Sequence, residues 1–156
     1  MPRSNNIWIL TADRRRARIF AAERPRSSEL TEVEAFVQPD ASLADRERVE
    51  PPPGRQHNGG IVATRHGVDS RSSEREKSTT KFVRDIVSRL EKAHHKGEFS
   101  KLVLVASPDV LGTIRAQLSN ELKHDVTFEL DKELTTLRPQ ELRSHLPQAL
   151  APSPNL

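Results

Sequence analysis

The sequence predicts an α/β fold in which a mixed five-stranded sheet carries flanking helices and one long loop. Three observations lead there. Two continuous apolar runs, Asn6-Ile7-Trp8-Ile9-Leu10-Thr11-Ala12 and Lys101-Leu102-Val103-Leu104-Val105-Ala106, have the composition of strands buried on both faces. Three strand-like segments precede any helical period, which calls for hairpins. Helix and strand then alternate to the end of the chain, which calls for parallel crossovers.

Asp13-Arg14-Arg15 forms a polar turn after the first strand, and Ala17-Arg18-Ile19-Phe20-Ala21 resumes as its hairpin partner. After Pro25 to Ser28, the segment Leu30–Val37 reads as a third strand. Its Glu32 and Glu34 alternate with Val33 and Ala35, as expected of a sheet with one wetter face. A helix is expected from Glu74 to about Lys96, because Phe82, Ile86 and Leu90 recur every four residues beside Val83, Val87 and Ala93. Gly97 stands where a left-handed cap is required. Ser107-Pro108 supplies a helix start for a face made of Val110, Leu111, Ile114 and Leu118. Val126–Leu130 is the fifth strand. Pro139 opens a last short helix with Leu142 and Leu146, and the tail from Pro147 is expected to fray. This is the element order of ribonuclease-H-like folds, which narrows architecture without assigning activity.

At 156 residues and 17.6 kDa the chain suits one domain, expected over residues 1–147 with a mobile loop at 38–73 and a flexible tail at 148–156. No apolar run reaches the roughly 18 residues a membrane span needs. The start Met1-Pro2-Arg3-Ser4 lacks a secretory h-region, and there is no cysteine, so cytoplasmic is the expected address. No cofactor is expected. The net charge of +3 conceals an asymmetry: residues 1–26 carry +5, residues 27–53 carry −5, and residues 54–72 carry +2. Basic charge is therefore concentrated in the first hairpin and the distal half of the loop, in the pattern of a phosphate-attracting patch or of a solvated mixed surface.

The stretch from Gln38 to Ser73 is far longer than an ordinary connection, and loops of that length are functional or disordered. It holds Pro51-Pro52-Pro53-Gly54, then Gly59-Gly60 and Gly67, with Arg55, His57, Arg65, His66 and Arg71 among them. Arg14-Arg15-Arg16 with Arg18 is the other binding feature, since side chains of a hairpin turn splay outward toward a phosphate backbone or an acidic partner. Catalytic patterns fit poorly. Neither apolar strand carries an interior carboxylate for a two-metal centre, Asp13 reads as a turn former, and Asp109 complements a helix dipole. His94 and His95 are adjacent and lack the i, i+4 spacing of a zinc pair; they suit a helix C-terminus. Ser72, Ser73 and Ser107 have no neighbouring base, and no phosphate loop is present. With one tryptophan and five phenylalanines there is no stacking platform for reading single-stranded RNA.

Ile7–Asp13 with Ala17-Arg18-Ile19-Phe20, then Leu102–Pro108 with Leu111-Gly112 and Leu118-Ser119, then Asp131-Lys132-Glu133-Leu134-Thr135 with Leu137, Pro139, Glu141 and Leu142, together resemble the bacterial host-attachment protein family over roughly residues 5–147. That family is in turn similar to the middle domain of archaeal and eukaryotic peptide-chain release factors and of Pelota. The resemblance implies the mixed sheet and a long loop before the long helix. In release factors that loop carries a Gly-Gly-Gln tip acting on peptidyl-tRNA. Here Asn58-Gly59-Gly60 is followed by Ile61, so the amide that positions water is missing. The expected function is a non-catalytic binding protein that contacts the ribosome or structured RNA through Arg14, Arg15, Arg16, Arg18, Arg55, His57, Gly59, Gly60, Arg65 and Arg71. The alternatives are a protein–protein factor, or homodimer, needed for attachment to host cells, and a hydrolase of peptidyl-tRNA or RNA.

Overall fold

A computed structural model describes residues 4–39 and 60–152. Strands β1 (Ile7–Ala12), β2 (Arg16–Ala22) and β3 (Thr31–Val37) are followed by helix α1 (Gly60–His95), then β4 (Lys101–Ala106), α2 (Pro108–Gln117), α3 (Asn120–Asp125), β5 (Val126–Leu130) and α4 (Pro139–Ser144). The sheet order is β3-β2-β1-β4-β5. The first three strands pair antiparallel, while β1–β4 and β4–β5 are parallel, which is the arrangement that hairpins followed by crossovers dictate.

Every residue of β1 is buried. Its side chains alternate between two cores. Trp8, Leu10 and Ala12 face a core completed by Phe82, Val83, Ile86 and Leu90 of α1 and by Val110 and Ile114 of α2. Ile7 and Ile9 face the opposite core, with Phe20, Val103, Val105, Leu142, Leu146 and Leu150. Trp8 stacks on Phe99 with ring centroids 4.7 Å apart. Gly97 has φ 73°, and the Gly97 and Glu98 amides donate to the carbonyls of His94 and Ala93, closing α1 with a Schellman motif.

Three expectations require correction. Helix α1 begins at Gly60 rather than Glu74, so Gly60–Ser73 is helix and not loop. The apolar period stops near Thr79, but no proline lies between Gly60 and His95. A helix nucleated by its packed half gains one hydrogen bond for each residue it adds. The remainder of the expected loop, 40–59, lies outside the described residues.

Second, Glu32 and Glu34 do not share a face. A β-bulge falls where the register passes from Ile19↔Glu34 to Phe20↔Glu32. The extra residue, Val33, moves Glu34 to the α1 side and Glu32 to the α4 side.

Third, the tail is docked as far as Pro152. Leu150 is 1% exposed, its amide donates to the Pro25 carbonyl at 2.8 Å, and its carbonyl accepts from Thr127 Oγ1 at 2.6 Å. Arg143 holds this segment, with Nε donating to the Ser27 carbonyl and its two terminal nitrogens to the carbonyls of Pro147 and Gln148, at 2.7 and 2.8 Å. Burial lowers the pKa of this guanidinium. Helix α3, capped by the Ser119 hydroxyl accepting from the Leu122 amide, is too short for a periodic signal.

Arg143→Ala leaves three carbonyls without their charged donor and is expected to lower unfolding free energy by about 2 kcal/mol. Urea denaturation checks this. Arg143→Lys is expected to recover less than half of the loss, because an ammonium lacks the fork that reaches three acceptors.

Candidate contact site at the arginine turn

The β1–β2 connection is built by Asp13. Its Oδ1 accepts from the amides of Arg15 and Arg16 at 2.7 and 2.9 Å, and its own amide donates to the Arg16 carbonyl at 2.9 Å. Oδ2 accepts from the Thr135 hydroxyl at 2.5 Å, which fastens the turn to the segment after β5. The turn-former reading of Asp13 therefore holds, and the carboxylate is consumed in doing so. Thr135 was legible only as part of the family resemblance; nothing in its local sequence marks it as a tether.

The four predicted arginines of this hairpin have different fates. Arg14 Nε lies 2.5 Å from Asp109 Oδ2 at the start of α2, with both side chains about half exposed. Burial raises the Asp109 pKa, but the nearby Ser107 hydroxyl and the bond from Arg14 outweigh it and hold the group below its usual value. The Ser107 hydroxyl sits close to that charge yet has no partner in good hydrogen-bond geometry. Arg15 and Arg16 are exposed.

Arg18 turns inward. Its Nε and Nη2 form a bidentate pair with Glu32 at 2.9 and 3.1 Å, Nη1 donates to the carbonyls of Thr135 and Leu137, and the guanidinium lies over the Phe20 ring. The bonds to Glu32 raise its pKa and lower that of Glu32. Arg18 is thus a structural clamp, with four of its five N–H donors already committed.

Of the remaining predicted residues, Gly60, Arg65 and Arg71 lie on α1, a different element from the arginine turn. Gly60 is the first residue of that helix, so it is not part of a loop tip. Arg55, His57 and Gly59 lie outside the described residues.

At the opposite end of the sheet, His94 Nε2 donates to Asp125 Oδ2 at 2.7 Å, and Lys101 Nζ lies 3.3 Å from Oδ1. His94 serves the end of α1 by tying it to α3, a more specific role than dipole compensation. Among the described residues no three His, Cys, Asp or Glu cluster in a way that holds a metal. A groove of about 570 Å³ beside β5, lined by Leu118, Lys123, Val126 and Phe128, contains the Arg115–Glu129 ion pair and no catalytic grouping. No helix among the described residues is long and apolar enough to cross a membrane.

A family model described as protein required for attachment to host cells matches residues 8–146. The chain belongs to this host-attachment family. No curated protein matches the sequence. Among solved structures, an archaeal translation termination factor is similar at TM-score 0.44 and 10% identity, covering 91% of the host-attachment protein and 38% of the factor. A structure titled only as an archaeal protein is similar at TM-score 0.44 and 12% identity, covering 83% and 30%. The chain thus spans well under half the length of either neighbour.

Two outcomes test this assignment of roles. Arg18→Ala is expected to cost about 2–3 kcal/mol of folding stability, whereas Arg16→Ala is expected to stay within about 0.5 kcal/mol; paired urea titrations separate a clamp from a surface cation. For Asp125, burial raises the pKa but the bonds from His94 and Lys101 dominate, so the net shift is downward from 3.8. A carboxylate with a depressed folded pKa adds stability above its unfolded value, which is lost as pH falls through the folded value. Asp125→Asn is therefore expected to be less stable than the parent at neutral pH, with the two thermal midpoints converging as the pH falls below the ordinary aspartate range.

Proposed function

We propose that this host-attachment family member is a non-catalytic binding module that contacts structured RNA, the ribosome being the first candidate, through the Arg14–Arg16 turn. The observation that carries the reading is the turn itself. Three consecutive arginines stand on a backbone fixed by Asp13 on one side and Thr135 on the other. A phosphate ligand meeting such a turn does not have to order it first, so less of the electrostatic attraction is spent on loop entropy. The Arg14–Asp109 pair is solvent-exposed and contributes little to folding, which leaves Arg14 free to exchange a carboxylate for a phosphate at small cost.

Hydrolysis is disfavoured by the same geometry. Asp13, at the end of β1, already accepts from two amides and a hydroxyl, and Gly60 begins helix α1, so no Gly-Gly-Gln-like loop tip is formed there; the residue that follows the two glycines is Ile61 and not the glutamine that a resemblance to release factors would call for. The second reading is a protein–protein factor in attachment to host cells, favoured by the family's description and by the exposed Val33 and Val37 on an edge strand.

Co-sedimentation with ribosomes tests the first reading. Pelleting is expected at about 50 mM salt and is expected to disappear by about 200–300 mM, as counterion release requires. The double variant Arg15→Glu/Arg16→Glu is expected to remain in the supernatant at the lower salt, with circular dichroism checking that it is folded. A parent protein that fails to pellet at low salt would overturn the proposal, as would pelleting that the double variant leaves intact.

A further inference from the structure

The two central strands end side by side. Ala12 of β1 is registered with Ala106 of β4, and the Ser107 amide donates to the Ala12 carbonyl at 3.4 Å. From there the chain leaves β1 toward β2 on one side and leaves β4 toward β5 on the other. Open α/β sheets place ligands where connections part in this way, beyond the carboxyl ends of parallel strands. Helix α2 starts at that point, ten residues long, with Pro108 in its first turn.

Ser107 is the residue here that the fold leaves unexplained. It is 4% exposed and holds the capping position of α2, yet its hydroxyl makes no capping bond and has no hydrogen-bond partner. An unsatisfied buried hydroxyl is costly and calls for a partner from outside the chain. Its neighbours say what kind. The Asp109 carboxylate draws in Arg14 Nε at 2.5 Å and the Val110 amide, with the Ser107 hydroxyl beside them. Amides of a first helical turn have no carbonyl within the helix to bond. A guanidinium, such an amide and a hydroxyl together are the donors that hold phosphate at a helix N-terminus. Asp13, the neighbouring carboxylate, spends its oxygens on the Arg15 and Arg16 amides and the Thr135 hydroxyl, so it does not compete for these donors.

We propose that the start of α2 binds a phosphate monoester, and that the Asp109 carboxylate fills the site as an internal substitute when the ligand is absent. A carboxylate has two oxygens and leaves the Ser107 hydroxyl unsatisfied. A phosphate monoester has three terminal oxygens, one each for Ser107 Oγ, the Val110 amide and Arg14, and its ester oxygen faces water. The Asp109 side chain is 46% exposed, so it turns out to solvent when displaced. The site shares Arg14 with the RNA contact proposed above and is otherwise independent of it.

Calorimetric titration of the full chain with methyl phosphate tests the site. Removing the competing carboxylate in Asp109→Ala is expected to tighten binding at least about tenfold over the parent. Ser107→Ala in that background is expected to reverse most of the gain without lowering the thermal midpoint, because the hydroxyl makes no bond in the free protein. A serine that served only as a helix cap would lower the midpoint and leave binding alone. Inorganic phosphate is expected to bind like the monoester, and dimethyl phosphate, with two terminal oxygens, at least about tenfold more weakly. The Val110 amide resonance of the parent chain is a second readout, expected to move on addition of methyl phosphate, and it holds even where Asp109→Ala does not fold. A Val110 resonance that stays in place would overturn the proposal. So would an Asp109→Ala chain that binds no tighter, a Ser107→Ala chain that keeps the gain, or dimethyl phosphate that binds as well as methyl phosphate. No ribosome enters these titrations, so their failure leaves pelleting through Arg15 and Arg16 standing, and failure to pellet leaves the phosphate site standing.

Discussion

The parallel pairing of β1 with β4 is the constraint on which the rest of the structure depends. Six registered residues of each strand, Ile7↔Lys101 through Ala12↔Ala106, form the centre of the sheet. All of β1 and all of β4 beyond Lys101 are buried, so the pair contributes side chains to both cores at once. Neither α1 with α2 on one face nor α4 with the terminal segment on the other has an apolar surface to close against without it. It also fixes chemistry at its carboxyl end. Asp13 and Ser107 follow the last registered pair directly, so the arginine turn and the start of α2 emerge side by side, and Arg14 meets Asp109 across nearly a hundred residues of sequence.

Around that centre, arginine acts repeatedly as a fastener between segments that share little apolar surface. Arg18 joins β2 to β3 and to the Thr135–Leu137 segment; Arg89 joins α1 to β3 and to Glu98, its guanidinium lying over the Trp8 ring; Arg143 joins α4 to Ser27 and to the terminal segment. A planar fork with five donors takes several carbonyls or a whole carboxylate at once, which lysine cannot do. With only about a third of its residues hydrophobic, the chain relies on such groups to hold the segments that its core does not reach.

That use of arginine explains what was and was not legible in the sequence. The buried strands were legible because Ile7–Ala12 and Leu102–Ala106 are continuous apolar runs, and the packed half of α1 because Phe82, Ile86 and Leu90 recur at helical spacing. Gly97 announced its own positive φ. The amino-terminal half of α1 was not legible, since its helicity is inherited from the packed half rather than written in an apolar period. The bulge at Val33 leaves no mark in a pattern that alternates regularly, and it takes the partner strand to reveal it. Arg14, Arg16 and Arg18 look alike in sequence. Only tertiary structure separates a guanidinium that meets Glu32 and two carbonyls from one that meets solvent, because every partner of Arg18 is distant along the chain. Arg143 went unremarked for the same reason.

The bulge ties these threads to function. Without the extra residue, Glu32 and Glu34 would project from one face, and a single cluster of negative charge would lie on the strand next to the arginine turn. By splitting them, the strand gives Arg18 and Arg89 one carboxylate each, on opposite faces, and removes both acids from the field around Arg15 and Arg16. Exposed charges a Debye length apart, about 8–10 Å at physiological salt, still feel one another, so an unsplit acidic pair on that side would weaken attraction of phosphate to the turn. Arg18 therefore bears on the turn without being part of it. Its loss would release Glu32 and loosen the Thr135 segment that anchors Asp13, which makes it a positioning residue for a surface it does not form.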